Sequence, residues 1–296
     1  MRLADGPERR TNKGMGINLF RQALVLSIRV AITAVPKKQD RVALTLHNIP
    51  PEHYEWANQV IGHIKAKYGF LDPGNVMFGG RQHPSSPRVL LTFDDGFASH
   101  RHVVEEVLEP LGVRGLFFIS HDFIGLSKAE AHSFAQRHFY PSRKIVASDG
   151  DATAMNWQDL EWLISKGHTL GAHTFMHDAL ADLPLDRQRE EIIASADRLE
   201  QRLGYPIRQF AYPFGSLASI DENSVDFARE RFDLAYSNIR GMLGESPSSH
   251  FLFRQNLVPG SPMWMVDAMI EGRLDWRYRG ARNEAFTRFS ERGLHR

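Results

Sequence analysis

Six short apolar runs constrain this chain more than any other feature. They lie at 41–49 (RVALTLHNI), 88–93 (RVLLTF), 113–120 (VRGLFFIS), 168–173 (HTLGAH), 208–212 (RQFAY) and 232–237 (FDLAYS). Runs this short and this apolar, bounded by turn residues, read as strands buried on both faces. Helical spacing separates them. A helix-like stretch follows Pro50-Pro51 through Tyr68. Val103, Val104, Val107, Leu108 and Leu111 share one face before Gly112. Asn156 is placed to cap a helix with Trp157, Leu160, Leu163 and Ile164 inward, stopped at Lys166-Gly167. Ile192, Ala196, Leu199 and Leu203 line a longer helix that ends at Gly204. Strand and helix alternating through short joints predict parallel strands and an α/β architecture. Residues 121–155 lack clear periodicity and read as an inserted loop or lid.

At 296 residues the chain divides into two average domains, or into one large α/β barrel. Lys plus Arg number 36 against 35 Asp plus Glu, so a nucleic-acid partner is not expected. The chain has no cysteine and 14 histidines. Disulfides, thiolate metal sites and a cysteine nucleophile are therefore excluded, and any metal must be held by imidazole and carboxylate. No GxGxxG follows a strand, and neither GxxxxGK[ST] nor Gly-x-Ser-x-Gly occurs, so nucleotide binding and a serine-hydrolase elbow have no support.

The first 16 residues are polar and basic and read as a disordered tail. Residues 17–35 (INLFRQALVLSIRVAITAV) are the most apolar stretch, but Arg21 and Arg29 interrupt it. A charge near the centre of an inserted helix costs ~2.5–3.5 kcal/mol. An imperfect amphipathic helix is the expectation, lying on the domain or on a membrane surface; a cleaved signal or a span fits less well. The expected division is a tail and helix over 1–36 and one domain over 37–296. The expected location is cytoplasmic, with membrane association through 17–35 left open.

Three run ends carry unusual chemistry. Adjacent carboxylates in Thr92-Phe93-Asp94-Asp95-Gly96 repel in a partly desolvated site, and a cation would remove that cost. Taken alone, Asp-Asp-Gly is also an ordinary turn. His173 and His177 stand four apart in His173-Thr174-Phe175-Met176-His177 and can meet one metal if the segment turns tightly; unrelated histidines would give the same spacing by chance. Tyr212-Pro213-Phe214-Gly215-Ser216 ends a strand in a fixed turn whose free N–H groups suit an oxyanion, or simply a turn. In α/β barrels functional groups collect at such strand ends.

In this order, LTFDDG, GHTLGAHTFMH and FAYPFG resemble the three leading motifs of the polysaccharide deacetylase family, whose catalytic domain is also called the NodB homology domain. The resemblance runs from about Arg41 to about Pro259. It implies a distorted (β/α) barrel of about seven parallel strands and a hydrolase that removes N-acetyl groups from sugars of a polysaccharide, oligosaccharide or glycan precursor. An amide hydrolase acting on a small non-sugar substrate, or a non-catalytic sugar-binding module of the same fold, are the alternatives.

Carried over by motif, Asp94 resembles the general base, and Asp95, His173 and His177 resemble the ligands of a divalent metal. Zn²⁺ is expected, with Co²⁺ or Ni²⁺ suited to the same donors. The Phe214 N–H occupies the oxyanion position, where the family normally has tyrosine. Two histidines compete for the catalytic acid. His47 lies in VALTLHNIP, which resembles the early Tyr-His strand end of a permuted subgroup with Leu46 replacing tyrosine. His250 lies in HFLFRQNLVPG, which fits the late leucine-rich motif poorly, so His47 is preferred. Arg254 resembles an arginine that ends a late strand and pairs with the base, although a surface arginine is the other reading.

Overall fold

The computed structural model describes residues 30, 32–38, 40–76, 88–146 and 149–290. Within them lie seven strands: β1 (Val42–Leu46), β2 (Val89–Phe93), β3 (Leu116–Ile119), β4 (Thr169–Ala172), β5 (Gln209–Ala211), β6 (Leu234–Tyr236) and β7 (Gln255–Asn256). They form one sheet in the order β6-β5-β4-β3-β2-β1-β7, and every pair is parallel. The sheet curls into a half-barrel, and a parallel bridge between Tyr236 and Leu252 brings its two edges together.

Side-chain parity sorts these strands into two layers. Val42, Leu44, Val89, Leu91, Phe93, Phe117, Ile119, Leu170 and Phe210 pack outward in the main core under the helices. Ala43, Leu90, Leu116, Phe118, Ala211, Leu234 and Tyr236 fill a smaller inner core with Leu243 and Leu252. Space inside is tight. A Cβ on Gly171 of β4 would lie 2.6 Å from the Phe118 ring and 2.7 Å from the Gln209 carbonyl oxygen.

Helices cover the outer layer as the spacing predicts. Helix α1 (Tyr54–Lys67) buries Ala57, Val60, Ile61 and Ile64. Helix α2 runs over Ala98–Val103, a π-helical turn at Val104–Leu108 and a last turn at Glu109–Leu111, stopped by left-handed Gly112. Helix α4 (Trp157–Ser165) starts at the expected Asn156, which forms a capping box with Asp159. Helix α5 runs over Leu185–Arg189, a π-helical turn at Glu190–Ala194, and Ser195–Leu203. Helices α6 (Glu222–Arg231), α7 (Met263–Ile270) and α8 (Arg279–Phe289) complete the layer.

Residues 121–155, expected as an inserted loop or lid without periodicity, contain a helix. Ser127 and Glu130 cap helix α3 (Lys128–Phe134), which continues as a π-helical turn over Ala135–Phe139. Its aromatic face builds a satellite core from Phe97, Phe123, Phe134 and Phe139. The helix is too short for the pattern to show in sequence. The amphipathic helix expected over 17–35 lies largely outside the described residues. Its described end is tied down: Arg273 donates to the carbonyls of Ile32, Thr33 and Val35. Among the described residues no helix is long and apolar enough to cross a membrane.

His168, just before β4, is 2% exposed and accepts the Gly115 N–H at Nδ1. Burial, then the Arg114 charge, push its pKa down to about 4 from the ordinary 6.5. The neutral ring is the folded form, so its contribution is complete above 6.5 and is lost as pH falls from there through about 4. His168→Asn keeps an acceptor for Gly115. In urea unfolding it should lose less stability than the parent between these pH values, with a difference on the order of 3 kcal/mol.

Candidate active site

The same parity places the site. Ala43 and Thr45 point into the half-barrel, and the next residue of that series is His47. Leu90 and Thr92 lead to Asp94 in the same way, and Gly171 leads to His173. Three groups with chemistry are thus the first inward positions beyond the C-terminal ends of β1, β2 and β4. With Asp95, His177, Tyr212, Phe214, Asn238 and Arg254 they line one cavity of about 380 Å³.

Asp95 should face away from Asp94 on a continuing strand. Its φ of 82° turns the chain and swings its carboxylate into the site. Thr174 (65°), His177 (61°) and Phe214 (58°) are the other non-glycine residues with positive φ among the described residues. All four lie in the three strand-end segments, and each such conformation costs roughly 1–3 kcal/mol and persists only where its surroundings enforce it.

Asp95 Oδ1 lies 3.5 Å from His173 Nε2 and 3.5 Å from His177 Nε2. One ligand atom from each residue falls within 4.8 Å of the others, and all three residues are buried. Outer hydrogen bonds set the rings: His173 Nδ1 bonds the Ala211 carbonyl at 2.6 Å and His177 Nδ1 the His138 carbonyl at 3.1 Å. Carbonyls can only accept, so both Nδ1 atoms carry a proton, and each ring presents its Nε2 to Asp95. Burial pushes His177 down to about 4, which keeps it a neutral donor. Asp95 Oδ1 is buried without a hydrogen-bond partner among the described residues. An orphaned carboxylate oxygen facing two imidazole Nε2 atoms fits a divalent cation.

Asp94 is held from below. Arg254 Nη1 donates to Oδ1 at 2.7 Å and Nη2 to Oδ2 at 2.8 Å. Arg254 is 1% exposed, and its Nη1 also lies 3.3 Å from the hydroxyls of Thr45 and Thr92. Burial alone would raise the Asp94 carboxyl, but the Arg254 charge, then His173, hold it far below the usual carboxylate range. The alternative of a surface arginine is thereby corrected.

His47 Nε2 stands 3.9 Å from Asp94 Oδ2 at the cavity wall. His250 lies elsewhere: it lines a separate cavity with Glu222, Asp226, Arg229, Arg288 and Phe289, and its Nε2 meets the Phe232 carbonyl at 2.9 Å. Phe214 packs edge-on against the His177 ring, with centroids 4.6 Å apart. The strip Phe139, Tyr140, Arg143 and Asp149 supplies a further wall, and Asn48, His53 and Asn256 join it. Only position in the fold marks these residues. Asn48 fastens the strip by donating to the carbonyls of Asp149 and Asp151.

Removing one partner of a buried ion pair strands the other charge, at a cost of ~3–5 kcal/mol. Arg254→Met should therefore lower the urea midpoint sharply, and adding Asp94→Asn should restore part of it. Additive losses in the double variant would contradict a direct pair.

The polysaccharide deacetylase model matches residues 81–231, just over half of the chain. No curated protein is similar enough in sequence to count as a match. Solved structures are similar in fold. IcaB from Ammonifex degensii is 21% identical with a TM-score of 0.60, over 80% of this chain and 99% of that one. The Streptococcus pyogenes deacetylase PplD, in complex with acetate, is 19% identical with a TM-score of 0.59, over 78% and 98%. A polysaccharide deacetylase from Bacillus cereus is 17% identical with a TM-score of 0.59, over 78% and 69%. The chain belongs to the polysaccharide deacetylase family, as a hydrolase of carbon–nitrogen amide bonds on the NodB-type fold.

Proposed function

We propose that the chain is a metal-dependent N-deacetylase of N-acetylated sugars, in a polysaccharide, an oligosaccharide or a glycan precursor. The observation that carries this reading is the Asp95–His173–His177 triangle, set in one cavity with a buried ionised Asp94 and with His47. Family membership supports the reaction class, and a structural relative that is a deacetylase held acetate, the acid such a reaction releases.

Asp95, His173 and His177 would hold the ion, Zn²⁺ first among candidates. When bound, a divalent ion supplies Lewis-acid polarisation and makes water acidic enough to deprotonate near neutral pH. Asp94 is the general base. Arg254 keeps it ionised and occupies one lone pair of each oxygen, leaving the other available for the proton of the attacking water. The Phe214 N–H, which has no acceptor among the described residues, donates to the oxyanion as the acetamide carbonyl becomes tetrahedral. A sugar amide cannot depart as an anion, so a proton must reach its nitrogen. His47, beside Asp94 in the same cavity, is the group that delivers it.

A panel of N-acetylated oligosaccharides and lipid-linked sugars, assayed for acetate with added zinc and with chelator, tests the reading. Acetate should appear only with metal. Asp94→Asn should cut turnover by about 10²-fold or more while metal content stays at one equivalent. His173→Ala should lose the metal itself; a full equivalent of zinc in that variant would refute the ligand assignment. His47→Ala should lose about 10²–10⁴-fold in kcat, and His250→Ala should lose little. The reverse pattern would move the acid to His250.

A further inference from the structure

The loop that carries both histidines is strained. Thr174 and His177 are both left-handed, and two bonds close the loop locally: the His177 N–H donates to Thr174 Oγ1 at 3.0 Å, and the His121 N–H to the Thr174 carbonyl at 3.0 Å. The left-handed turn at Thr174 aims the next two amides, Phe175 and Met176, the same way. Successive amides pointing together form a concavity that selects a negative group. Here that group comes from helix α5. Glu191 is 0% exposed, and its Oε2 accepts the Phe175 N–H at 2.8 Å and the Met176 N–H at 3.1 Å. Its Oε1 faces Arg187 Nη2 at 3.2 Å.

Placement of Glu191 depends on the helix. It sits in the π-helical turn Glu190–Ala194, whose wider winding shifts the register of the buried face and puts Glu191 beside Ile192 against the sheet. A carboxylate buried without need is costly, and burial raises the Glu191 carboxyl while the Met176 and Phe175 amides oppose that rise. Neither His173 nor His177 touches it. Besides Arg187, its carboxylate bonds two of the three residues between them, Phe175 and Met176.

We propose that Glu191 is a positioning residue that holds the Thr174–His177 loop in its strained form and so presets both imidazoles for metal. The proposal rests on the metal site of the preceding section. Partners one layer out from metal ligands typically change affinity 10–100-fold when removed. Glu191→Ala leaves two buried amides without an acceptor, whereas Glu191→Gln keeps an oxygen in place. Glu191→Asp keeps the charge but withdraws the carboxylate by one methylene.

Two readouts on the full-length apo-protein test this: zinc affinity by competition with a chromophoric chelator, and hydrogen exchange of the Phe175 and Met176 amides. Glu191→Ala and Glu191→Asp should each bind zinc about 10-fold or more weakly and exchange these amides about tenfold faster, with Glu191→Gln restoring both. Parental affinity and parental exchange in Glu191→Ala would overturn the proposal. So would weak zinc binding in both Glu191→Ala and Glu191→Gln with exchange unchanged, since that marks a charge effect without a loop effect. If Glu191→Ala does not fold, Glu191→Asp decides alone. A parent protein that binds no zinc would refute the metal reading, and the exchange data would then judge the loop role by themselves.

Discussion

A full positive charge sits inside the half-barrel of this protein, and the chemistry above it is organised by that charge. Arg254 is surrounded by strand side chains, so its guanidinium has few acceptors to choose from. Thr45, Thr92 and the Ser237 carbonyl take some of its protons, and both oxygens of Asp94 take the rest. A bidentate fork fixes a carboxylate in position and in plane. Because the guanidinium charge lies against it, the carboxylate stays ionised despite desolvation. The arginine also joins β7, at one edge of the sheet, to β2 near its middle.

Strain is concentrated where the chemistry is. The described residues place left-handed backbone at non-glycine positions only in Asp95, Thr174, His177 and Phe214. At Asp95, His177 and Phe214 the residue lines the cavity, and at Thr174 the turn aims the next two amides at Glu191. Such turns persist only where neighbours over-determine them. Ser120 donates its N–H to the Asp95 carbonyl, Glu191 gathers the amides of the histidine loop, and Asn238 donates to the Gly215 carbonyl beside Phe214. The helices around the half-barrel therefore do more than cover it: one of them reaches through to the loop that carries the histidines.

Much of this was legible in the residues. Helix ends were readable because capping is local: Asn156 with Asp159, Gly112 and Gly204 act within four residues. The six longer strands were readable because burial on both faces demands apolar runs. Strand β7 was not, since a two-residue strand between Arg254 and Leu257 has no run to show. The helix within 121–155 escaped for a similar reason. Its seven residues bury alanine and phenylalanine against the nearby Phe123 and against Phe97, which is distant in sequence. The cavity wall it brings, Tyr140 and Arg143 included, was invisible with it.

What the sequence by itself determined is the set of donors and their local spacing: Asp94 beside Asp95, His173 four residues from His177, Phe214 in its turn. Those are short-range patterns, and short-range patterns resemble a family strongly enough to name one. What only the tertiary structure decided is which distant groups share the cavity. Resemblance alone favours His47 over His250; inward parity on β1 sets the first beside Asp94, and the second lines a different cavity. In the chain Glu191 is an ordinary charged residue, and Arg254 is marked only by resemblance. They became a buried counter-ion and a loop clamp only when strand curvature and a π-helical turn carried them 160 and 15–16 residues back along the sequence to their partners.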